Sequence, residues 1–218
     1  MTNATPNATT NRNTLPRLVL LTDRVAAGIR SRGLTETVRE AVTGGASAVL
    51  LREKDLPRVE RRRLLDTIQE LLGPVGGIVG VASDVTLAMQ AGIGWVHLAQ
   101  LDPVVDRDLG LTVGRSCHDT TETVRAAGEG CAYVTVSPVG MTSSKPGYGP
   151  ALGVEGLAAA VRAAGSAAVF ALGGVTPDNT AEWLVAGAFG IAVMGSVMGA
   201  SDPAAVTASF LTALEGFS

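Results

Sequence analysis

Short apolar runs alternate with helix-like stretches along almost the whole chain, and this alternation is what most constrains the fold. We predict eight strands from runs of four to six residues: Leu18–Thr22, Ala48–Arg52, Gly77–Ala82, Trp95–Leu98, Leu111–Ser116, Tyr133–Val136, Ala168–Leu172 and Ile191–Met194. Helices are predicted between and after them: Thr35–Val42, Pro57–Leu72, Val85–Ala91, Thr120–Ala127, Val154–Ala164, Pro177–Ala186 and Pro203–Leu214. The pattern is typical of a parallel sheet covered by helices. A doubly wound open sheet is the alternative, but eight buried strands with short loops favour an α/β fold of the closed (β/α)8 TIM-barrel type.

The length and composition indicate one soluble domain. Residues 1–16 are polar and show no periodicity, so we predict a disordered leader there and a barrel over 17–218. A hydrophobic content of 46% and a net charge of -3, without a Lys/Arg tract, argue against a nucleic-acid partner. No run reaches the ~18 apolar residues of a membrane span, and the leader lacks a signal-peptide core, so we expect no membrane partner and a cytoplasmic location. Oligomeric state is left open, and a homo-oligomer is compatible with the sequence.

The rarer reactive side chains follow the predicted strands. Of seventeen basic residues only Lys54 and Lys145 are lysines, and each lies just beyond an apolar run. The two histidines, His97 and His118, are placed in the same way. In a (β/α)8 barrel the C-terminal strand ends share one rim, which carries the active site. The sequence therefore predicts chemistry at that rim.

Two kinds of loop indicate that the rim binds phosphate groups. Arg52 and Lys54 stand two residues apart, where both cations can meet phosphate oxygens, although a salt-bridged surface loop is the alternative. Gly173-Gly174 and Gly195-Ser196 follow strands seven and eight, where backbone N–H groups commonly hold a phosphate in this fold. Plain turns would explain either pair alone, but both together favour phosphate.

The loop over 137–147 combines hydroxyls, glycines and Lys145, and this composition suits a mobile lid that grips an anion. Asp102 ends another loop with a carboxylate that could bind magnesium. Ser116 and His118 end a third loop with a hydroxyl and an imidazole. A lone histidine after a strand is more often a hydrogen-bonded packing residue than an acid or base. The sequence shows no Ser-His-Asp order and no zinc spacing.

Seven motifs follow one another along the chain: LTDR at 21–24, GGASAVLLREKD at 44–55, VHLAQLD at 96–102, GRSCH at 114–118, SPVGMTSSKPG at 137–147, ALGGV at 171–175 and GIAVMGSV at 190–197. In this order they resemble the thiamin phosphate synthase family, which also contains the thiazole tautomerases. Each motif alone is weakly specific, but seven in order at (β/α)8 spacing are a strong signal. The resemblance covers essentially the whole chain after residue 16.

The resemblance implies a barrel that binds small phosphorylated substrates. In the synthase branch a thiazole phosphate is joined to hydroxymethylpyrimidine pyrophosphate, and pyrophosphate is released. The family holds this leaving group with magnesium and with cations that correspond here to Arg52, Lys54 and Lys145. Magnesium ligation carries over to Asp102, whereas a tautomerase implies no cofactor.

The remaining site residues implied by the resemblance contact the two organic substrates. The lid hydroxyls near the thiazole correspond to Thr142 and Ser144, and Ser116 matches a substrate-contacting serine. The thiazole phosphate site corresponds to Gly173, Gly174, Gly195 and Ser196.

Three positions depart from the synthase pattern. The glutamine two residues before the REK arginine is Leu50 here. The Asn-Asp pair after strand three, whose aspartate binds magnesium, falls on Ala82-Ser83, and Asp84, one position later, is a candidate replacement. The serine of the strand-eight phosphate motif aligns with Gly195, with Ser196 beside it.

These departures leave three functions in consideration. They weaken the pyrimidine half of the site and so favour a tautomerase, but the lid histidine of the tautomerases is replaced by Pro138, as in the synthases. In a tautomerase His118 would have to shuttle the proton. We rank the synthase first, the tautomerase second and a non-catalytic thiazole-phosphate or thiamin-phosphate binding protein third.

Overall fold

The computed structural model describes residues 15–141 and 150–217, and in these ranges the chain forms a closed parallel barrel. Its strands are β1 Leu18–Leu21, β2 Ala48–Leu51, β3 Ile78–Ala82, β4 Trp95–Leu98, β5 Thr112–Cys117, β6 Tyr133–Val136, β7 Ala168–Leu172 and β8 Gly190–Val193. Each strand pairs with its neighbours in sequence, and β1 closes the barrel by pairing with β8, for example Leu20 with Val193. The predicted (β/α)8 barrel is confirmed.

Helices follow most of the strands. They are α1 Arg24–Gly28, α2 Leu34–Thr43, α3 Arg58–Leu72, α4 Val85–Ala91, α5 Thr120–Gly128, α6 Gly153–Ala163, α7 Thr180–Val185, α8 Gly195–Met198 and α9 Pro203–Glu215. The sequence does not predict α1 and α8, because five and four residues are too few to show a helical period. After β4 the chain forms a 3₁₀ turn, Arg107–Leu109, in place of a longer helix.

Aspartates begin several of these helices and so fix where each loop ends. The side chains of Asp23, Asp84, Asp119 and Asp202 accept hydrogen bonds from backbone N–H groups in the first turns of α1, α4, α5 and α9. Each such cap stabilises a helix by about 1 kcal/mol. The loops between strand ends and helix starts are therefore short and defined.

Aromatic rings fill the barrel interior below the rim, and glycines make room for them. The ring centroids of Trp95 and Tyr133 are 6.1 Å apart, and those of Tyr133 and Phe170 are 5.5 Å apart. A Cβ atom on Gly80 would lie 2.6 Å from the Trp95 ring, and one on Gly114 would lie 2.0 Å from the Tyr133 ring. The two glycines on β3 and β5 therefore permit two large side chains on β4 and β6.

The described residues contain no helix that is both long and apolar enough to cross a membrane. Cys117 and Cys131 are buried free thiols, and burial raises the pKa of Cys117 to about 12. Both cysteines therefore stay protonated and structural at neutral pH. Most of the predicted leader lies outside the described residues, and Leu15 is buried. The domain boundary at residue 17 stays a prediction.

Gly114→Ala should lower the stability by about 1–3 kcal/mol, because the added methyl group overlaps a buried ring that cannot move aside without strain. Gly128→Ala, in α5, is the matched control, since a Cβ atom there meets nothing within 4 Å. Urea denaturation of both variants measures the difference. Equal stability of the two variants would show that the interior is looser than described.

Candidate active site

A cavity of about 640 Å³ opens at the C-terminal ends of the strands. Eight of the predicted catalytic and substrate-binding residues line it: Arg52, Lys54, Ser116, His118, Gly173, Gly174, Gly195 and Ser196. Three others, Thr142, Ser144 and Lys145, lie outside the described residues. The structure thus brings residues at or just beyond the ends of β2, β5, β7 and β8 to one hollow.

The loop after β2 separates its cations from its carboxylates. Arg24, at the start of α1, binds Asp55 through two hydrogen bonds of 2.6 and 2.8 Å and Glu53 through a third of 3.0 Å. Arg52 and Lys54 instead line the cavity. The loop is salt-bridged, as the alternative interpretation holds, but the partner of its carboxylates comes from a different loop. Arg24 was not singled out from the sequence, because its role depends on the pairing of β1 with β2.

Arg115, on β5, clamps the loop after β4. Its guanidinium is 1% exposed and donates to the carbonyl oxygens of Ala99, Gln100 and Asp102 at 2.8, 3.1 and 2.9 Å. Its Nε lies 2.8 Å from a carboxylate oxygen of Glu129, which balances the buried charge. A charged residue within an apolar strand was the available signal for this role, but the sequence could not indicate which loop it holds.

Asp102 is held by the same loop and by Ser83, the residue that follows β3. Its Oδ2 accepts hydrogen bonds from the Ala99 N–H at 2.7 Å and from the Ser83 hydroxyl at 2.5 Å. Ser83 has a φ of +56°, a left-handed conformation that is uncommon outside glycine. Its N–H donates to the His97 carbonyl at 3.0 Å, so hydrogen bonds on both sides hold it in place.

Asp84 is placed differently from Asp102. Its carboxylate caps α4 and accepts hydrogen bonds from Arg58 at 3.0 and 3.2 Å and from Arg61 at 2.7 Å. Neither Asp84 nor Asp102 lines the cavity, although Ala99, Gln100 and Leu101 of the Asp102 loop do. In the described ranges no group of three or more His, Cys, Asp or Glu side chains is arranged to hold a metal ion. Of the two carboxylates singled out from the sequence, Asp102 is the one beside the cavity-lining loop.

Glycines allow two rim loops to approach each other closely. Gly174 has a φ of +72°, and a Cβ atom there would lie 2.5 Å from the carbonyl carbon of Gly140. The Gly140 N–H donates to the Gly173 carbonyl at 2.9 Å. The Ser196 hydroxyl donates to the Val175 carbonyl at 2.9 Å and so ties α8 to the loop after β7. The first N–H groups of α8, which have no partner inside a helix, begin at this edge of the cavity.

His97 lies on the cavity wall but is 5% exposed. Its Nδ1 is 3.0 Å from the Tyr133 hydroxyl, and its Nε2 is 2.9 Å from the Ser116 hydroxyl. Burial, aided by the positive charge of Lys54, lowers the pKa of His97 to about 3. The imidazole is therefore neutral at physiological pH, and it cannot serve as a general acid there.

His118, which follows β5, is anchored to Ser137, the residue that follows β6. Its Nδ1 lies 2.7 Å from the Ser137 carbonyl oxygen, and its backbone N–H donates to Glu122 at 2.7 Å. Because a carbonyl oxygen only accepts, Nδ1 carries a proton. The carbonyl group of Ser137, just after β6, thus holds the Nδ1 proton of this cavity-lining histidine.

Protein stability should depend on pH through His97. Its pKa is 6.5 in the unfolded chain and about 3 in the folded protein, so the unfolded state alone gains a proton as the pH falls through this window. Stability contributed by the neutral ring is present above pH 6.5 and is lost on acidification. His97→Gln, which keeps the polar contacts without titrating, should show a smaller loss of unfolding free energy over the same window. Equal losses of unfolding free energy in the wild type and in His97→Gln would contradict the assignment of this pH dependence to His97.

Comparison with known proteins assigns the chain to a family. Residues 18–197 match the thiamine monophosphate synthase family. The thiamine-phosphate synthase of Moorella thermoacetica is 38% identical over 86% of this chain and 90% of its own length. A putative thiamine-phosphate synthase of Geobacter sulfurreducens is 36% identical over 85% of this chain and 88% of its own length.

A solved structure agrees with these sequence relatives. Thiamine phosphate pyrophosphorylase from Pyrococcus furiosus superposes with a TM-score of 0.82 at 31% identity. The match covers 94% of this chain and 98% of that protein. The family match, the sequence relatives and the solved structure thus agree over most of the chain, and the chain belongs to the thiamine monophosphate synthase family.

Proposed function

We propose that the protein is a thiamin phosphate synthase that joins a thiazole phosphate to hydroxymethylpyrimidine pyrophosphate. The observation that carries this proposal is the convergence of Arg52 and Lys54 with the glycine loops after β7 and β8 around one cavity. Two cations suit a pyrophosphate, and backbone N–H groups suit a single phosphate. A cytoplasmic location remains part of the proposal on the sequence grounds given above.

The reaction needs charge stabilisation more than proton transfer. The bond between the pyrimidine methylene carbon and the pyrophosphate oxygen breaks, and its electron pair leaves with pyrophosphate. The lone pair of the thiazole nitrogen then forms the new carbon–nitrogen bond, so no proton has to move. Arg52 and Lys54 would stabilise the negative charge that develops on the leaving group. The neutral, buried His97 accords with a mechanism that uses no general acid.

The site fits Mg²⁺ if the ion is held by one protein carboxylate together with the substrate pyrophosphate. Mg²⁺ binds one or two carboxylates together with substrate phosphate oxygens, and it keeps several waters. Asp102, which follows the cavity-lining residues Ala99, Gln100 and Leu101, would supply one carboxylate. Ser83, at the position of the family's second aspartate, donates a hydrogen bond to it. We propose that Asp102 and the pyrophosphate would hold Mg²⁺ together, and that the ion supplies further positive charge to the leaving group.

The relatives support the synthase over the two alternatives, since those cited above are named as synthases or as a pyrophosphorylase.

The decisive experiment combines purified protein, both substrates and Mg²⁺, and it measures thiamin phosphate and pyrophosphate. Equal amounts of the two products are expected. Metal-free conversion of thiazole carboxylate phosphate isomers, without any coupling, would instead indicate a tautomerase. Binding of thiazole phosphate without turnover would indicate a binding protein.

Arg52→Gln and Lys54→Gln should each lower kcat/KM for the pyrimidine substrate by roughly 100-fold or more, because each removes a charge from the leaving-group site. Arg62→Gln is the matched control, since Arg62 lies on α3 and pairs with Asp66 at 2.8 Å. That surface pair contributes little, so the control should retain activity within about twofold. Unchanged kcat/KM in both cavity variants would show that Arg52 and Lys54 are solvated side chains that do not contact the leaving group.

Asp102→Asn should raise the Mg²⁺ concentration needed for half-maximal activity at least about tenfold, because a formal charge is lost from the ion's ligand. Asp84→Asn should leave that concentration unchanged and should lower the stability by roughly 1–3 kcal/mol, because it removes charged hydrogen bonds to Arg58 and Arg61. Pyrophosphate release against Mg²⁺ and thermal denaturation separate the two effects. If Asp84→Asn raised the Mg²⁺ concentration for half-maximal activity as much as Asp102→Asn does, Asp84 would have to be a metal ligand.

A further inference from the structure

A chain of polar side chains runs from the barrel interior to the cavity. The Trp95 indole N–H donates to the Tyr133 hydroxyl at 2.9 Å, and this hydroxyl lies 3.0 Å from His97 Nδ1. His97 Nε2 then lies 2.9 Å from the Ser116 hydroxyl. Trp95, Tyr133 and His97 are all buried, whereas Ser116 is partly exposed and lines the cavity. The chain connects β4, β5 and β6.

The direction of each hydrogen bond in this chain follows from Trp95, the residue at its buried end. An indole nitrogen can only donate, so the Tyr133 oxygen accepts from Trp95. The Tyr133 hydrogen then needs an acceptor, and in the described part of the protein His97 Nδ1 is the one within reach. The reverse arrangement, with a proton on Nδ1, would leave a fully buried hydroxyl hydrogen without a partner, which is costly. Nδ1 is therefore unprotonated.

The second ring nitrogen must then carry the proton. Neutral imidazole has one N–H, and burial keeps His97 neutral by lowering its pKa to about 3. The Nε2 hydrogen points at the Ser116 oxygen at 2.9 Å, with the Thr135 hydroxyl more distant at 3.4 Å. Ser116 thus accepts from the histidine, and its own hydrogen is left for a different partner. Among the described residues, His97 is the hydrogen-bond partner of this hydroxyl.

We infer that Tyr133 and Trp95 are positioning residues that hold His97 as the Nε2–H tautomer, so that Ser116 presents its hydroxyl hydrogen to a hydrogen-bond acceptor on the substrate. This inference rests on the proposed function for the identity of that substrate. The thiazole nitrogen is the nucleophile and must keep its lone pair for bond formation. A ring nitrogen of the pyrimidine remains available throughout the reaction. In this proposal the Ser116 hydrogen goes to such a ring nitrogen, and the measured Kd of the pyrimidine substrate tests this pairing.

Long-range ¹H–¹⁵N NMR of the substrate-free protein tests the tautomer directly. The wild-type spectrum at neutral pH should show His97 with an unprotonated Nδ1 and a protonated Nε2. Tyr133→Phe removes the donor to Nδ1 and should yield a mixture of both tautomers. A wild-type His97 that carries its proton on Nδ1 would overturn the inference. This measurement needs neither substrate nor turnover, so it is independent of the proposed function and of the folding of any variant.

Binding of hydroxymethylpyrimidine pyrophosphate, measured by calorimetry, tests the link to Ser116. Ser116→Ala should raise the Kd roughly tenfold, the effect of one lost hydrogen bond. Tyr133→Phe should raise it severalfold, and the double variant should bind no more weakly than Ser116→Ala alone, because both changes remove the same interaction. Effects that multiply in the double variant would refute the relay. If the wild type does not bind hydroxymethylpyrimidine pyrophosphate, the proposed substrate is wrong. The NMR spectrum of the substrate-free protein would still test the His97 tautomer.

Thr207→Val is the matched control for the loss of a buried hydroxyl. Thr207 lies on α9, is 1% exposed, and its hydroxyl has no hydrogen-bond partner in the described residues. This variant should leave both the His97 spectrum and the Kd unchanged. A Kd change equal to that of Tyr133→Phe would assign the effect to general loosening of the barrel and would overturn the role given to Tyr133.

Discussion

Parallel hydrogen bonding around a closed ring of strands is the constraint on which the site depends. The pairing of Leu18, Val19 and Leu20 on β1 with Ile191, Ala192 and Val193 on β8 closes the sheet. Because all eight strands run the same way, every loop that follows a strand in the described structure opens on the same rim. Residues as distant in sequence as Arg52 and Ser196 thereby line one cavity. No local preference of either segment would bring them together.

Ion pairs below and beside the rim decide which charges face the cavity. Arg24 engages Glu53 and Asp55, while Arg58 and Arg61 engage Asp84. Glu53 and Asp55, which stand next to the predicted phosphate-binding cations, are thus neutralised by Arg24 from α1. Arg52 and Lys54 line the cavity. This division of charge suits a reaction in which an anionic leaving group has to be stabilised.

The same barrel interior also supports a buried polar network. Small residues at Gly80 and Gly114 make room for Trp95 and Tyr133, whose polar atoms would be costly without partners. The network satisfies them and ends at His97 and Ser116 on the cavity wall. Arg115 places a second buried polar group on the same strand as Ser116 and holds the loop of Asp102. Packing below the rim and substrate contacts at the rim are therefore parts of one structure.

The sequence by itself determined the strand order, the strand limits to within one residue and the rim on which the polar residues lie, because these follow from local periodicity and from motif order. It also singled out Arg52, Lys54 and the glycine pairs, since their residue types carry a phosphate-binding chemistry. Only the tertiary structure decided that Asp84 pairs with arginines while Asp102 is held beside the cavity-lining loop, and that Arg115 and Tyr133 serve the site from below. Those roles depend on which side chains meet across neighbouring strands and helices, and spacing along one chain does not encode distances between elements.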